Sequence, residues 1–340
     1  MVLDSPKIMT TKEAIKKFVH DGDTVSITSC GTAGPYALVH EIIRQRKKNL
    51  TVIQATTMHE LDLLVGCGCV KKVITSWSYR IVKGLRAFDR GVFENNVEVQ
   101  DYTNYTVAAM LMAGAMNLPF FPAKPSILYT DIWTHRKEGM FALVDNPFKP
   151  GEKVLLVPAI KPDVALVHVQ RVDPDGNAQL WGALGTVKHG ALASKRIIVT
   201  AEELVPSEVV RLSPNHTIIP GFRVDAICIE PWGAHPSEVL GYYDMDRMMV
   251  GLYSAASVTR SLFKKWVDEW IFSVEDRQHY IEHYVDVYGM NALNKLRAKI
   301  YPSSSVNLGS SFLTDMELLE LTIDDVLSNP EMFEVEVDND

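Results

Sequence analysis

A predicted strand, a loop of small residues and a predicted helix follow one another within residues 21–46. Residues 24–28 alternate and contain β-branched side chains, which favours a strand, and Pro35 stands where a helix would begin. Between them lies what we call the small-residue loop: Ser29, Cys30, Gly31, Thr32, Ala33 and Gly34. A ligand can approach the backbone closely at such a loop after a strand, so we predict a binding site here.

The small-residue loop differs from two common phosphate-binding signatures. Only Gly31 and Gly34 have the spacing of a G-x-G-x-x-G fingerprint, and no Gly-Lys-Ser/Thr follows as in a P-loop. The sequence therefore predicts neither a dinucleotide-binding motif nor a P-loop at this position.

The remaining apolar segments alternate between strand and helix character. Predicted strands cover residues 50–54, 70–75, 154–157, 164–169, 196–200 and 226–229, and predicted helices cover residues 11–19, 58–65, 104–116 and 258–298. Apolar strands that alternate with helices are typical of a parallel sheet covered on both faces. We therefore predict an α/β fold with an open, mostly parallel sheet and a helical carboxyl-terminal region.

Charge is unevenly distributed along the chain. After Lys299 there is no Lys or Arg, whereas ten Asp and Glu residues lie there, so the rest carries 34 basic and 32 acidic residues. A nucleic-acid-binding protein is expected to present a basic face, so we predict no nucleic-acid partner. We expect residues 1–300 to form one domain and residues 301–340 an acidic extension, with a helix favoured at residues 316–327.

The sequence also predicts a cellular location and the state of its cysteines. The amino terminus lacks the apolar core of a signal peptide, and no run of about 18 apolar residues occurs, so we expect a soluble, cytoplasmic protein without membrane contact. Cys30, Cys67, Cys69 and Cys228 are too few for a disulfide framework, and no second pair of metal ligands lies near Cys67 and Cys69. We expect buried or half-buried thiols and no metal there.

One histidine pair has the spacing of metal ligands. His279 and His283 match the H-x-x-E-H pattern of some zinc peptidases. No third ligand is evident and the region is polar, so we favour a solvated helix face over a metal site.

Three glutamates are candidate nucleophiles. Glu60 and Glu202 follow predicted strands, where a carboxylate can face a cleft, but acids are also common in the first turn of a helix. Glu94 is better explained as the end of a loop. An enzyme that works alone requires a nucleophile beside a base or two opposed carboxylates, and the sequence offers neither. We therefore assign no catalytic residue.

Polar residues after other strands are further binding candidates. Ser76, Ser78 and Arg80 follow a predicted strand, where hydroxyls and a guanidinium can receive a carboxylate; surface placement is the alternative for Arg80. His235 lies in a tight turn after residues 226–229, where it either contacts substrate or braces the turn by hydrogen bonds.

Motifs spread over residues 7–288 identify a family. They include residues 21–23 (Asp-Gly-Asp) before the small-residue loop, residues 145–154 (Asp-Asn-Pro-Phe-Lys-Pro-Gly-Glu-Lys-Val), residues 173–176 (Asp-Pro-Asp-Gly) before Trp181-Gly182, residues 199–203 (Val-Thr-Ala-Glu-Glu) and residues 233–237 (Gly-Ala-His-Pro-Ser). With these motifs the chain resembles the A (alpha) subunits of family I CoA-transferases, and most closely the glutaconate CoA-transferase branch.

This resemblance implies a fold, a reaction and a partner. The implied fold is an open α/β sheet like that of ribose-phosphate isomerases, and the implied reaction moves coenzyme A between an acyl-CoA and a free carboxylic acid. In this family a glutamate from the B (beta) subunit attacks the thioester and then carries coenzyme A as a glutamyl thioester. The resemblance thus implies a hetero-oligomer with a B subunit, an active site between the two chains, and coenzyme A as a substrate thioester, with no permanently bound cofactor.

The resemblance also implies which residues this chain contributes. They are the small-residue loop together with Thr56, Thr57, Ser76, Ser78, Arg80, Asn104 and His235. Where the family usually has a Gly-Gly pair, this sequence has Ser29-Cys30, and the loop is one residue shorter than in the glutaconate enzymes. The acyl substrate is therefore left open.

Two alternatives remain at this point. A related branch of ring-opening CoA hydrolases is expected to carry an acid at the start of the helix predicted at residues 104–116. Asn104 stands there, which lowers the hydrolase alternative, whereas Asp101, one turn earlier, keeps that alternative open. The other alternative is a ligand-sensing regulator on the same fold, which would normally carry a helix-turn-helix and a basic patch that this sequence lacks.

Overall fold

The computed structural model describes residues 5–27, 29, 31–78, 86–94 and 97–299. Two of the predicted substrate residues, Cys30 and Arg80, lie outside the described residues. So does the whole acidic extension, with the helix predicted at residues 316–327.

Within the described part of the chain we number fourteen strands and twelve helices in chain order. The strands are β1 (Thr24–Ile27), β2 (Leu50–Ile53), β3 (Thr56–Thr57), β4 (Val70–Thr75), β5 (Trp77–Ser78), β6 (Glu98–Asp101), β7 (Phe120–Ala123), β8 (Ala142–Asp145), β9 (Lys153–Pro158), β10 (Val164–Val172), β11 (Ala178–Gln179), β12 (Arg196–Leu204), β13 (Thr217–Ile219) and β14 (Ala226–Ile229). The helices are α1 (Thr11–Phe18), α2 (Tyr36–Arg44), α3 (His59–Gly66), α4 (Ala87–Glu94), α5 (Asn104–Ala115), α6 (Asp131–Thr134), α7 (Val187–Ala193), α8 (Ser207–Leu212), α9 (Arg247–Ala256), α10 (Arg260–Val267), α11 (Arg277–Tyr288) and α12 (Met290–Lys295).

The main sheet has a parallel part with the strand order β6-β4-β2-β1-β10-β12-β14. From β1 the chain proceeds outward through β2, β4 and β6 on one side, and from β10 through β12 and β14 on the other. The strand order therefore reverses between β1 and β10. Ligands of open α/β sheets bind outside the carboxyl ends of the strands at such a point. The small-residue loop follows β1, so it lies at the place where the fold favours a site.

Side chains of the central strands alternate between two apolar cores. In β10, Val164 and Leu166 belong to one core, whereas Ala165 and Val167 belong to the other. Successive side chains of a strand point to opposite faces, so both faces of the sheet are covered and the strands carry continuous apolar runs. This confirms the predicted open, mostly parallel sheet with helices on both faces.

One predicted strand belongs to a different sheet. The sequence pattern placed residues 154–157 in the parallel sheet, but they lie in β9, the middle strand of a separate antiparallel sheet with the order β7-β9-β8. Leu155 and Val157 are fully buried in a third core, which includes Val107 of α5. An apolar run indicates a buried strand, but the pairing partners of the strand determine the sheet to which it belongs. For β9 these partners are the hairpin neighbour β8 and the more distant β7.

The carboxyl-terminal helical region is broken rather than continuous. A π-helical turn, Asp268–Phe272, follows α10, and two further helices come after it. Trp266 and Trp270 are buried as predicted, whereas Leu262 is 41% exposed. In the described residues we find no helix that combines the length and the apolar character required to span a membrane.

Candidate active site

The small-residue loop is held from one side by a turn that follows β14. The backbone N–H of Ala33 donates to the carbonyl oxygen of Glu238 at 2.7 Å, and the N–H of Gly34 donates to Ser237 Oγ at 2.8 Å. The loop adopts left-handed backbone at Gly31 (φ +79°) and at Ala33 (φ 50°), which is unusual for alanine. The Gly-Ala-His-Pro-Ser motif of residues 233–237 therefore helps to fix the shape of this loop.

A buried carboxyl group lies beneath the loop. Ser29 Oγ donates to Glu60 Oε1 at 2.9 Å, and Gln54 Nε2 donates to Ser29 Oγ at 3.2 Å. Glu60 is fully buried, and burial raises the pKa of its carboxyl group. Glu60 lies in the first turn of α3, which was one of the two positions considered from the sequence, but its side chain faces the protein interior. A methyl group on Gly34 would lie 2.6 Å from Glu60 Oε1, so glycine is required for this approach.

A second polar cluster joins the ends of neighbouring strands. Thr56 Oγ1 lies 3.0 Å and Ser76 Oγ 2.5 Å from Asn104 Oδ1, and Ser76 Oγ also lies 2.5 Å from the Ala55 carbonyl oxygen. Asn104 is exposed and the two hydroxyls are half-buried. Among the residues that the structure describes, we find no hydrogen bond made by the Asn104 amide nitrogen. This amide can donate to an anionic ligand.

The loop and the hydroxyl cluster are connected by residues 56–60. Met58 belongs to this segment, and a methyl group on Gly31 would lie 3.2 Å from its sulfur atom. The structure thus brings together Ser29, Gly31, Gly34, Thr56, Ser76 and Asn104, which the sequence predicted as substrate residues. Thr32 lies at the far side of the loop, where its hydroxyl donates to the Ala183 carbonyl oxygen at 3.2 Å.

Two of the predicted hydroxyls point elsewhere. Thr57 is fully buried, and its hydroxyl has no partner in the described part of the chain. Ser78 Oγ accepts a hydrogen bond from Arg86 Nη2 at 3.0 Å. Thr57 and Ser78 pair across the short β3-β5 ribbon, in which Thr56 pairs with Trp77.

His235 is placed in the protein core. Its Nδ1 lies 3.0 Å from the Tyr280 hydroxyl and its Nε2 lies 3.0 Å from Asp246 Oδ2, and the ring is fully buried. Arg277 donates to the His235 carbonyl oxygen. Both ring nitrogens are therefore used inside the core, and of the two sequence alternatives the geometry corresponds to bracing of the turn. We therefore do not place the His235 side chain among the substrate contacts.

The other candidate nucleophiles lie outside this arrangement. Glu202 belongs to β12 rather than to the first turn of a helix, because the strand continues to Leu204, and its carboxylate accepts hydrogen bonds from inside the core. Glu94 is 40% exposed and forms an ion pair with Arg260. Neither carboxylate is hydrogen-bonded to the described residues of the small-residue loop or to the hydroxyl cluster.

The cysteines and the histidine pair have ordinary structural surroundings. Cys69 and Cys228 are buried, and burial raises the pKa of each thiol to about 12, which makes both poor nucleophiles. His279 Nδ1 lies 2.8 Å from Asp276 Oδ1, and His283 Nε2 lies 3.3 Å from Glu269 Oε1. Across residues 5–299, as far as the structure describes them, we find no group of three or more potential ligands that could hold a metal ion.

Asp101, which the hydrolase alternative would use, is separate from the hydroxyl cluster. It is exposed at the end of β6 and lines a depression with Asp131, His135 and Lys137. The residue that joins Thr56 and Ser76 is Asn104, an amide. The hydrolase alternative is therefore not favoured.

Sequence reasoning missed residues that support the site from below. Gln54, Ser237 and Tyr36 are buried and contact the loop or Glu60. Ser237 was visible as the last residue of the Gly-Ala-His-Pro-Ser motif, and Tyr36 as the residue after Pro35. Nothing in the local pattern marks Gln54, because its contact with Ser29 joins two separate strand ends.

Comparison with known proteins gives consistent matches. Residues 8–230 match the family described as coenzyme A transferase. The chain is 36% identical over 290 residues to the A subunit of glutaconate CoA-transferase from Acidaminococcus fermentans, which covers 81% of this chain and 91% of that protein. It is 35% identical over 275 residues to the A subunit of 3-oxoadipate CoA-transferase from Pseudomonas knackmussii, which covers 79% and 95%. The crystal structure of the Acidaminococcus fermentans glutaconate enzyme matches with a TM-score of 0.78 at 32% identity, covering 91% of this chain and 99% of that one.

Proposed function

This chain belongs to the coenzyme A transferase family, and from that premise we propose that it is the A-type subunit of an enzyme with a separate B subunit. The enzyme moves coenzyme A between an acyl-CoA and a free carboxylic acid. The B subunit supplies the glutamate that attacks the thioester and becomes the glutamyl-CoA intermediate. Coenzyme A enters as a substrate thioester and leaves on the acceptor acid.

The observation that carries this proposal is a built site in which we assign no nucleophile among the residues that the structure describes. The loop after β1 and the hydroxyl cluster lie together at the point where strand order reverses. Of the described carboxylates at this place, Glu60 is fully buried beneath the loop, and the half-buried Glu238 meets the loop through its backbone carbonyl. A partner must bring the attacking group, as the names of the A-type relatives suggest.

We assign roles within this site as part of the proposal. The Asn104 amide, held by Thr56 and Ser76, donates to the carboxylate of the acyl group or of the acceptor acid. The small-residue loop, including Cys30, forms the wall along which the acyl chain lies, because Gly31 and Gly34 leave the backbone accessible. Arg80 is proposed as a second contact for a carboxylate.

The experiment that tests this function is acyl-CoA turnover by the chain alone and after co-expression with a candidate B subunit. Each sample is assayed with and without a carboxylic acid acceptor, over a panel of dicarboxylic and 3-oxo acids. We expect turnover only in the complex and only with acceptor. Release of coenzyme A without acceptor would support a hydrolase, and turnover by the isolated chain would contradict the proposed division of labour.

A substitution in the loop tests the location of the site. Gly31→Val should reduce transfer at least about 100-fold, because the side chain must occupy left-handed backbone (φ +79°) beside Met58. Gly22→Val is the matched control, because Gly22 also has positive φ (+88°) but no atom within 4 Å of an added methyl group. If both variants lose activity equally, the loss reflects backbone strain and the site has been placed in the wrong loop.

A further inference from the structure

A chain of three buried polar side chains lies beneath the small-residue loop. Gln54, Ser29 and Glu60 are 1%, 4% and 0% exposed. Hydrogen bonds of 3.2 and 2.9 Å join Gln54 to Ser29 and Ser29 to Glu60. Ser29 is the first residue of the loop, and Gly34, the last one, approaches the same carboxyl group. The carboxyl group of Glu60 thus contacts both ends of the loop.

An ionised Glu60 would be a fully buried charge, held by its hydrogen bond with Ser29 and by the nearby Tyr36 hydroxyl, which acts to lower its pKa. Among the residues described, Gln54 Oε1 and Glu60 Oε2 are buried oxygens without a hydrogen-bond donor. Leaving buried acceptors unpaired is unfavourable, above all on a charged group. A proton on Glu60 removes the buried charge: the carboxylic acid donates to Ser29, Ser29 donates to the oxygen of Gln54, and Glu60 Oε2 becomes a neutral carbonyl oxygen, which is less costly to leave unpaired. The amide of Gln54 can present either end to Ser29, so this arrangement needs no change of backbone.

We propose that Glu60 is a positioning residue for the proposed acyl site, and that it holds the small-residue loop as a neutral carboxylic acid that donates to Ser29. Its surroundings agree with this state. Burial raises the pKa of Glu60, and hydrogen bonds within the cluster only partly oppose that shift. The titratable neighbours are uncharged: burial raises the pKa of Tyr36 far above its ordinary value and lowers the pKa of His59 to about 3.

The neutral state matters because the proposed substrates carry carboxylates. An ionised Glu60 would place a negative charge directly beneath the loop and repel both the acyl carboxylate and the acceptor acid. A neutral acid keeps the hydrogen bond that shapes the loop without that repulsion. This inference rests on the proposed function for its kinetic consequence, but the protonation state of Glu60 can be measured without any activity.

Infrared spectroscopy of the isolated full-length chain tests the protonation state directly. The difference spectrum between the wild type and Glu60→Gln at pH 7 should contain the C=O stretch of a protonated carboxylic acid. Glu98→Gln is the matched control, because Glu98 is a half-exposed acid paired with Lys137 at 2.7 Å, and its difference spectrum should contain carboxylate bands. Carboxylate bands in the Glu60→Gln difference spectrum would overturn the proposal, whatever the enzyme's activity.

Kinetics of the assembled enzyme then test the positioning role. Glu60→Ala should raise the KM for the acceptor acid about tenfold with less change in kcat, because the loop loses its anchor while no reacting group is removed. Glu60→Gln, whose amide also donates to Ser29, should restore most of this loss. An equal loss in the two variants would overturn the neutral-acid role, and an unchanged KM in Glu60→Ala would overturn the positioning role. Absence of any transfer by the wild-type complex would instead count against the proposed function.

Discussion

Two buried glutamates, Glu60 in α3 and Glu202 in β12, differ sharply in their hydrogen bonds. Glu202 accepts hydrogen bonds from His168 Nε2 at 2.9 Å, from the Tyr243 hydroxyl at 2.6 Å, and from the backbone N–H groups of Trp232 and Gly233 at 2.7 and 3.2 Å. Glu60 Oε1 is hydrogen-bonded to Ser29 Oγ at 2.9 Å, whereas its Oε2 has no hydrogen-bond partner among the described residues.

The difference separates a structural carboxylate from one that serves a site. Buried polar groups in folded proteins are almost always hydrogen-bonded, so the four donors around Glu202 are what the interior demands. These hydrogen bonds connect β12 to residues 230–234. The residues that follow, Ser237 and Glu238, hold the small-residue loop. Glu60 departs from this rule at the point where the fold favours ligand binding. An incompletely partnered buried group beneath the small-residue loop indicates function more strongly than burial alone does.

The largest effect is expected from removal of the fully partnered glutamate. Glu202→Ala should lower the free energy of unfolding by about 3–5 kcal/mol, because two backbone N–H groups and two side chains lose their acceptor in the interior. Urea denaturation measures this loss. A decrease below about 1 kcal/mol would mean that the four hydrogen bonds do not distinguish Glu202 from Glu60.

A smaller effect is expected where the loop approaches Glu60. Gly34→Ala should cost about 1–3 kcal/mol, because the added methyl group would lie 2.6 Å from Glu60 Oε1 and 2.9 Å from Tyr36 Cε2. Gly251→Ala is the control, because this glycine lies in α9 with no atom within 4 Å of the new methyl group. It should stabilise the protein by about 0.5–1 kcal/mol. Thermal unfolding of both variants should therefore shift in opposite directions.

Two hydroxyls at the site sharpen the comparison further. Ser29→Ala removes a hydroxyl that links Gln54 and Glu60 and should cost about 1–2 kcal/mol. Thr57→Val removes a fully buried hydroxyl that has no partner in the described residues, so stability should stay the same or increase. A large loss in Thr57→Val would reveal a hydrogen bond to a part of the chain outside the described residues.

The effect of Glu60→Gln on stability is expected to depend on pH. Since the pKa of Glu60 is raised in the folded protein, the folded state keeps a proton that the unfolded state loses above its ordinary pKa of 4.5. The stability that Glu60 contributes is thus complete at acidic pH and decreases as the pH rises towards the folded-state pKa. Glu60→Gln lacks this decrease, so its stability relative to the wild type should increase from pH 4 to pH 8 in urea denaturation. A constant difference over this range would contradict the raised pKa.

The sequence predicted those parts of the molecule that depend on local pattern. The β1-loop-α2 unit follows from alternation, two glycines and Pro35, and the parallel sheet follows from apolar runs separated by helices. Residues 154–157 were assigned to the wrong sheet because strand pairing depends on β7 and β8, which no local pattern identifies. For the same reason the sequence left open whether His235 braces the turn or binds substrate. Its two hydrogen-bond partners come from other elements, because Tyr280 lies in α11 and Asp246 directly precedes α9.

The sequence pointed to the loop and strand-end residues of the candidate site, but it did not point to the buried residues that support them. Hydroxyls and glycines after strands are visible as candidates because function concentrates at strand ends. Whether a given hydroxyl faces the cleft depends on the pairing of β3 with β5, which turns Thr56 towards Asn104 and Thr57 into the interior. Glu60 was visible only as one of several acids, because its contacts with Ser29 and Gly34 come from a segment about 30 residues earlier.

The central claim is that this chain shapes the acyl site while its partner carries the covalent intermediate. Trapping that intermediate tests the claim most directly. The assembled enzyme is incubated with acyl-CoA alone, and hydroxylamine then converts any glutamyl thioester to a hydroxamate with release of coenzyme A. Mass spectrometry of both subunits locates the modified residue. We expect the hydroxamate on a glutamate of the partner subunit, with none on this chain. A hydroxamate on Glu60, Glu94 or Glu202 would contradict the account.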